Sequence, residues 1–187
     1  MNKAALKRLA LELRDEIGID GHARFDPYLL ADEYGVDVFQ LSEVGCSTEA
    51  LAHFQVDRPA TFSGALVPVG DGFVIIENDS HDAARRRATA AHEMAHVALG
   101  HPFATFLVNE RGCRTANDDH EREATELGAE MLLPTEAAKR LACRQVTDTE
   151  AAEFYDVSLD VARWRMNATG ARLYARNVEA KRSRARR

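Results

Sequence analysis

The sequence is poor in cysteine. Its 187 residues include three, Cys46, Cys113 and Cys143. They are odd in number and form no Cys-x-x-Cys pair, which argues against a disulfide framework and against a cysteine zinc site. A reducing, cytoplasmic setting is expected. Long apolar runs are also missing, and no stretch approaches the roughly 20 residues that span a bilayer. The opening Met1–Arg8 lacks the apolar core and cleavage site of a secretory signal; it reads as the start of an amphipathic helix. Positive charge is outnumbered, 24 Lys and Arg to 30 Asp and Glu, and unevenly spread. The net charge is −6, yet Lys181, Arg182, Arg184, Arg186 and Arg187 put +5 into the last seven residues, so the rest carries −11. An acidic body is a poor general partner for nucleic acid, and a short basic tail is ordinarily a solvated one. What is present is a 45% hydrophobic chain of a length that suits one domain with a small appendage.

Against this background one stretch stands out: Thr89-Ala90-Ala91-His92-Glu93-Met94-Ala95-His96-Val97-Ala98-Leu99-Gly100. It contains His-Glu-x-x-His. On a helix, His92 and His96 lie one turn apart on the same face, so both imidazoles reach one metal ion. Glu93 is about 100° further round. It is badly placed as a third ligand and well placed to hold a water against the metal, the arrangement of zinc-assisted amide hydrolysis. A bare match of this kind arises by chance on the order of once in a hundred such chains. The setting is what strengthens it: the surrounding residues are small and apolar, and Gly100 supplies a helix stop.

The rest of the chain reads as mixed helix and strand. Leu6, Leu9, Ala10, Leu13 and Ile17 define one face of a helix over Lys3–Ile17. Asp26-Pro27 starts a short helix to Tyr34, and Val36–Phe39 alternates as a strand. A further short helix is expected over Ser47–Phe54. Thr61–Val67 and Phe73–Glu77 flank a Gly-Asp-Gly turn and predict a hairpin. Its second strand is a candidate edge for an extended substrate. Asn78-Asp79-Ser80 offers N-caps for a long helix from about Asp82 to Leu99, with Arg85, Arg86 and Arg87 expected on a solvated face. Residues 101–117 read as a loop. Asp118–Leu133 has an acidic front suited to a helix N-terminus, with Ala124, Leu127, Met131 and Leu132 on its apolar side, and Pro134 should end it or open the next helix. Helices capped by Thr147 or Asp148 and by Ser158 follow. Phe154, Val157, Val161 and Trp164 are expected in their core, and the outline is that of a helix-turn-helix.

A catalytic zinc usually has three protein ligands and a water. Downstream candidates for the third are His101, His120, Glu121, Glu123, Glu126 and Glu130. His101, beyond Gly100, looks poorly placed. Glu123 shares a face with apolar residues at i+4 and i+8 and should point inward, where a carboxylate needs a partner. Glu121, about 200° away, should be exposed, and Glu126 and Glu130 should lie on the flank. His120 and Tyr155 are candidates for stabilising an oxyanion.

Several blocks in order carry a family resemblance: Asp26–Val38, Phe73–Asn78, Arg87–His96, and Glu123-Ala124-Thr125-Glu126-Leu127-Gly128-Ala129-Glu130-Met131-Leu132-Leu133-Pro134. From about Asp26 to Leu141 the sequence resembles the ImmA/IrrE family of bacterial and phage metallopeptidases. The last block is similar to the family's Glu-Ala-x-x-Phe-Ala-x-x-Leu-Leu-x-Pro, with Leu127 in place of Phe and Gly128 in place of Ala. The resemblance implies a zincin-like α+β fold, Zn2+ held by His92, His96 and Glu123, and Glu93 as the catalytic residue. It also implies a protein substrate, since other members cleave helix-turn-helix repressors of phage, mobile-element or stress genes. The expected layout is a zincin-like metallopeptidase domain over 1–140, a helix-turn-helix-like segment over 141–176 and a disordered basic tail over 177–187. Two competing readings remain: an anti-repressor that sequesters without cutting, and a DNA-binding regulator using the C-terminal helices and tail. Against the second, Leu159–Ala168 offers only Arg163 and Arg165 as strong base-reading side chains.

Overall fold

A computed structural model of the chain describes residues 1–102 and 118–185. Most of the segment read as a loop, together with Cys113, lies outside them. In chain order the helices and strands are α1 (Lys3–Glu16), α2 (Pro27–Glu33), β1 (Asp37–Gln40), α3 (Thr48–Ala52), β2 (Gly64–Val69), β3 (Gly72–Glu77), α4 (Ala83–Ala98), α5 (Asp118–Leu132), α6 (Thr135–Cys143), α7 (Asp148–Tyr155), α8 (Leu159–Ala168) and α9 (Ala171–Ala185). No helix among the described residues is long and apolar enough to cross a membrane.

Local chemistry sets most of these boundaries. Side chains of Asn2, Asp26, Ser47, Asp82, Thr147 and Ser158 each accept a backbone N–H of the helix they open, removing one of the orphan donors at its start. Helix α4 is therefore capped by Asp82 rather than by Asn78–Ser80. Asn78 is buried instead, and its side-chain amide donates to the Phe54 and Phe62 carbonyls.

Among the described residues the sheet has three strands in the order β1-β3-β2. β2 and β3 form the expected hairpin, with Val69 opposite Gly72 and Gly64 opposite Glu77. β1 pairs with β3 in parallel, Val38 opposite Ile75. This corrects one expectation: β3 is the central strand, so the edge beside the hairpin is β2. Helix α4 packs on the sheet, α5 lies along α4, and α1 packs on α5. The core runs through them as Leu6, Ala10 and Leu13 of α1, Ile75 of β3, Ala91, Met94 and Ala95 of α4, and Ala124, Leu127 and Met131 of α5.

Gly128 governs how closely α5 approaches α4. A Cβ there would sit 3.0 Å from the Ala91 carbonyl oxygen and 3.2 Å from the His92 nitrogen. The Gly128 departure from the family pattern thus lies where α5 passes close to the α4 backbone.

Buried arginines tie the elements together, which the sequence reading did not foresee. Arg87 is 4% exposed and donates to the carbonyls of Phe25 and of Asp156 at the α7–α8 turn. Arg86 pairs with the buried Glu77, and Arg85 donates to Ser63. The three arginines are not a solvated face. Glu130, expected on a flank, is buried; it accepts from Arg165 of α8 and from the Thr135 backbone and hydroxyl. Val157 is buried as expected, but Phe154 and Trp164 are 59% and 39% exposed. Residues 177–185, expected to be disordered, continue α9. Alanine, arginine and lysine are strong helix formers, and basic residues suit a helix C-terminus.

Candidate metal centre

The site forms where the second half of α4 meets the first turn of α5. His92 and His96 project from one face of α4, as their spacing requires. Their Nε2 atoms are 3.2 Å apart. The Glu121 carboxylate closes the group, with Oε2 3.3 Å from His92 Nε2 and Oε1 3.5 Å from His96 Nε2. One ligating atom from each of the three lies within 4.8 Å of the others. Tetrahedral zinc with bonds of about 2.0–2.1 Å holds neighbouring ligand atoms about 3.3 Å apart. The three separations match that figure, so the donor set fits a zinc-sized cation in both chemistry and spacing. Two imidazole nitrogens and a carboxylate so arranged need a shared cation or a proton between them.

The electrostatics favour the cation. Burial, reinforced by His92, pushes the His96 pKa down to about 4, so near neutral pH the ring is uncharged and its lone pair is ready for a metal. His101 is likewise lowered, first by burial and then by His120. Glu93, the next residue after His92, is half-buried on the same helix.

The third carboxylate differs from the one that the family resemblance implies. Glu123 does point inward, as its periodicity predicts. Its partners are His101, whose Nε2 is 3.3 Å from Oε2, and the Met1 nitrogen at Oε1. Glu121, expected to be merely exposed, is 47% exposed and is the carboxylate placed at both Nε2 atoms. The two glutamates project about 200° apart, so only one of them can face that pair. Which one depends on how α5 docks against α4, and helical periodicity does not carry that information.

His101 is the residue that the sequence reading set aside. Gly100, at φ +59°, turns the chain so that the Gly100 N–H donates to the Val97 carbonyl and the His101 N–H to the His96 carbonyl. This is a Schellman closure, and it folds His101 back behind His96. The imidazoles meet through their Nδ1 atoms at 2.9 Å. The available signal was the Gly-His pair directly after the helix: a C′ glycine brings the next residue back over the last turn. His120 stacks on His101 with ring centroids 4.2 Å apart and planes 14° from parallel. Tyr155, the other candidate for an oxyanion donor, is buried and donates to the His22 carbonyl at 2.9 Å, which commits its hydroxyl to the fold.

The profile of a family described as IrrE N-terminal-like domain, Peptidase_M78, matches residues 31–167. No curated protein sequence matches the chain. The matched region holds the sheet, α4, α5 and most of α8, and its α+β architecture is that of a zincin-like core.

Proposed function

This chain belongs to the IrrE N-terminal-like peptidase family, and from that premise we propose that it is a zinc-dependent endopeptidase acting on a protein substrate in the cytoplasm. The observation that carries the proposal is the His92–His96–Glu121 group with Glu93 beside it. His92, His96 and Glu121 would hold the zinc. The bound metal would supply a Lewis acid that polarises the scissile carbonyl and acidifies the attacking water. Glu93 takes the proton from that water and passes it to the leaving amine. His120, on the first turn of α5, is the remaining candidate for steadying the developing oxyanion.

We infer that the substrate pairs with β2, a sheet edge beside α4. A Cβ at its first residue, Gly64, would meet Thr89 of α4 at 2.5 Å, so this strand starts close to the helix that carries the histidines. An extended segment would add there through main-chain hydrogen bonds. The likeness to ImmA/IrrE members supports a helix-turn-helix repressor of a phage, mobile element or stress regulon as the target.

Glu93→Gln tests the reading. The variant keeps the shape of the side chain and removes the proton acceptor. It should bind zinc and its repressor as the wild type does and leave the repressor intact by mass spectrometry, with reporter derepression lost in cells. An intact repressor with an active reporter would mean that the protein works by sequestration.

A further inference from the structure

Behind His96 lies a chain of polar contacts that the proposed chemistry does not use. His96 Nδ1 meets His101 Nδ1 at 2.9 Å, and His101 Nε2 meets Glu123 Oε2 at 3.3 Å. His101 is 8% exposed, and its ring is held in plane by stacking on His120. Each nitrogen can be assigned from the metal outward. A ligand nitrogen must offer a lone pair, and the His96 nitrogen that faces His92 and Glu121 is Nε2. The His96 proton therefore sits on Nδ1 and is donated to His101. His101 must accept it through Nδ1, so its own proton is on Nε2, aimed at Glu123. A carboxylate only accepts, which closes the chain without conflict.

We propose that Glu123 and His101 are positioning residues that fix the tautomer and ring orientation of His96, so that its Nε2 is presented to the metal. This rests on the zinc reading above. It gives Glu123 a part in the site without making it a ligand. Partners of this kind orient metal-binding histidines, and losing one typically weakens metal affinity about 10- to 100-fold. The Schellman closure at Gly100 is what brings the acceptor to His96.

Two variants of the full chain separate this role from simple packing. His101→Phe keeps an aromatic ring to stack on His120 and removes both nitrogens. His101→Gln offers a carbonyl to His96 and an N–H to Glu123. Zinc affinity, measured by competition with a chromophoric chelator, should fall about 10- to 100-fold in His101→Phe and recover to within a few fold of wild type in His101→Gln. In the wild type, long-range proton–nitrogen correlation spectra of the histidine side chains should show His96 protonated on Nδ1. That readout is independent of either variant's folding. His96 protonated on Nε2, or coordinated through Nδ1 in the zinc-loaded protein, would overturn the proposal. So would wild-type affinity in a folded His101→Phe. A wild-type chain that takes up no zinc would overturn the metallopeptidase reading as well, which distinguishes the two failures.

Discussion

Gly128 is the sharpest test of how the site is built. It lies seven residues after Glu121, on the same stripe of α5, so the residue that touches the α4 backbone and the carboxylate that meets the histidines face α4 together. In Gly128→Ala the new methyl would stand 3.0–3.2 Å from the Ala91 carbonyl and the His92 nitrogen, and α5 must withdraw by a few tenths of an ångström. That strain, about 1 kcal/mol, is offset by the helix propensity gained on replacing glycine, also about 1 kcal/mol, so the stability of the metal-free protein should change little. Gly128→Val gains less propensity and adds two further methyls to the same contact, so a net loss of about 2 kcal/mol is expected. Displacing α5 moves Glu121 relative to His92 and His96, and metal sites tolerate shifts of only about 0.2 Å in ligand distance. Zinc affinity should therefore fall at least tenfold in the valine variant, a larger effect than its stability alone would suggest. Denaturant melts of the metal-free forms and chelator competition on the folded proteins measure the two separately. A folded Gly128→Val with wild-type zinc affinity would refute the idea that this close approach sets the ligand geometry.

Three further outcomes are expected. Glu121→Ala should lose most bound zinc while Glu123→Ala keeps a weakened site, as read by elemental analysis after dialysis; the reverse order would restore Glu123 as the ligand. Arg165→Met leaves the buried Glu130 carboxylate without its cation, a change that costs about 3–5 kcal/mol in such pairs. The Thr135 hydrogen bonds to Glu130 place the loss at the lower end, measurable in denaturant melts, and adding Glu130→Gln should recover part of it. A fragment ending at residue 140 should fail to melt cooperatively, because Glu130 and Arg87 both lose partners that lie beyond that point.

What was legible in the sequence follows from short-range chemistry. The caps at Asp26, Thr147 and Ser158, the hairpin turn and the 3.6-residue face of α1 depend on neighbours a few residues away, and the structure places them close to the positions read from sequence. The same holds for His92 and His96, whose juxtaposition needs only one helical turn. Most of the misreadings depend on distant partners. Arg87 looks like a surface charge until the Phe25 and Asp156 carbonyls, 62 and 69 residues away, are brought to it. Glu130 looks like a flank residue until Arg165 reaches it from α8. β3 looks like an edge until β1 pairs along its other side. Phe154 and Trp164 were assigned to the core on hydrophobicity, yet α7 and α8 bury their alanines instead: Ala151, Ala152 and Ala162 carry the contacts. Glu121 and Glu123 could be ranked by rotation about α5, but not by where that helix lands on α4.

The same distant partners explain how α4 and α5 can hold His92, His96 and Glu121 at fixed separations. A metal centre built from two helices needs both held against rotation as well as against separation. Apolar packing through Ala91, Leu127 and Met131 resists separation, but small smooth contacts resist sliding poorly. Directional bonds supply that resistance. Arg87 pins α4 to the Phe25 carbonyl on one side and to the α7–α8 turn on the other. Arg14 of α1 donates to the Met131 carbonyl near the end of α5, and Arg165 grips Glu130 one residue earlier. The C-terminal helices thus act as a clamp on the site. Each guanidinium has several donors in a rigid fork, so satisfying two or more of them fixes an orientation that hydrophobic contact alone leaves loose. These buried charges need not add net stability. Their use here is to make one relative setting of α4 and α5 cheaper than its neighbours, which a group of ligand atoms spaced 3.2 to 3.5 Å apart requires.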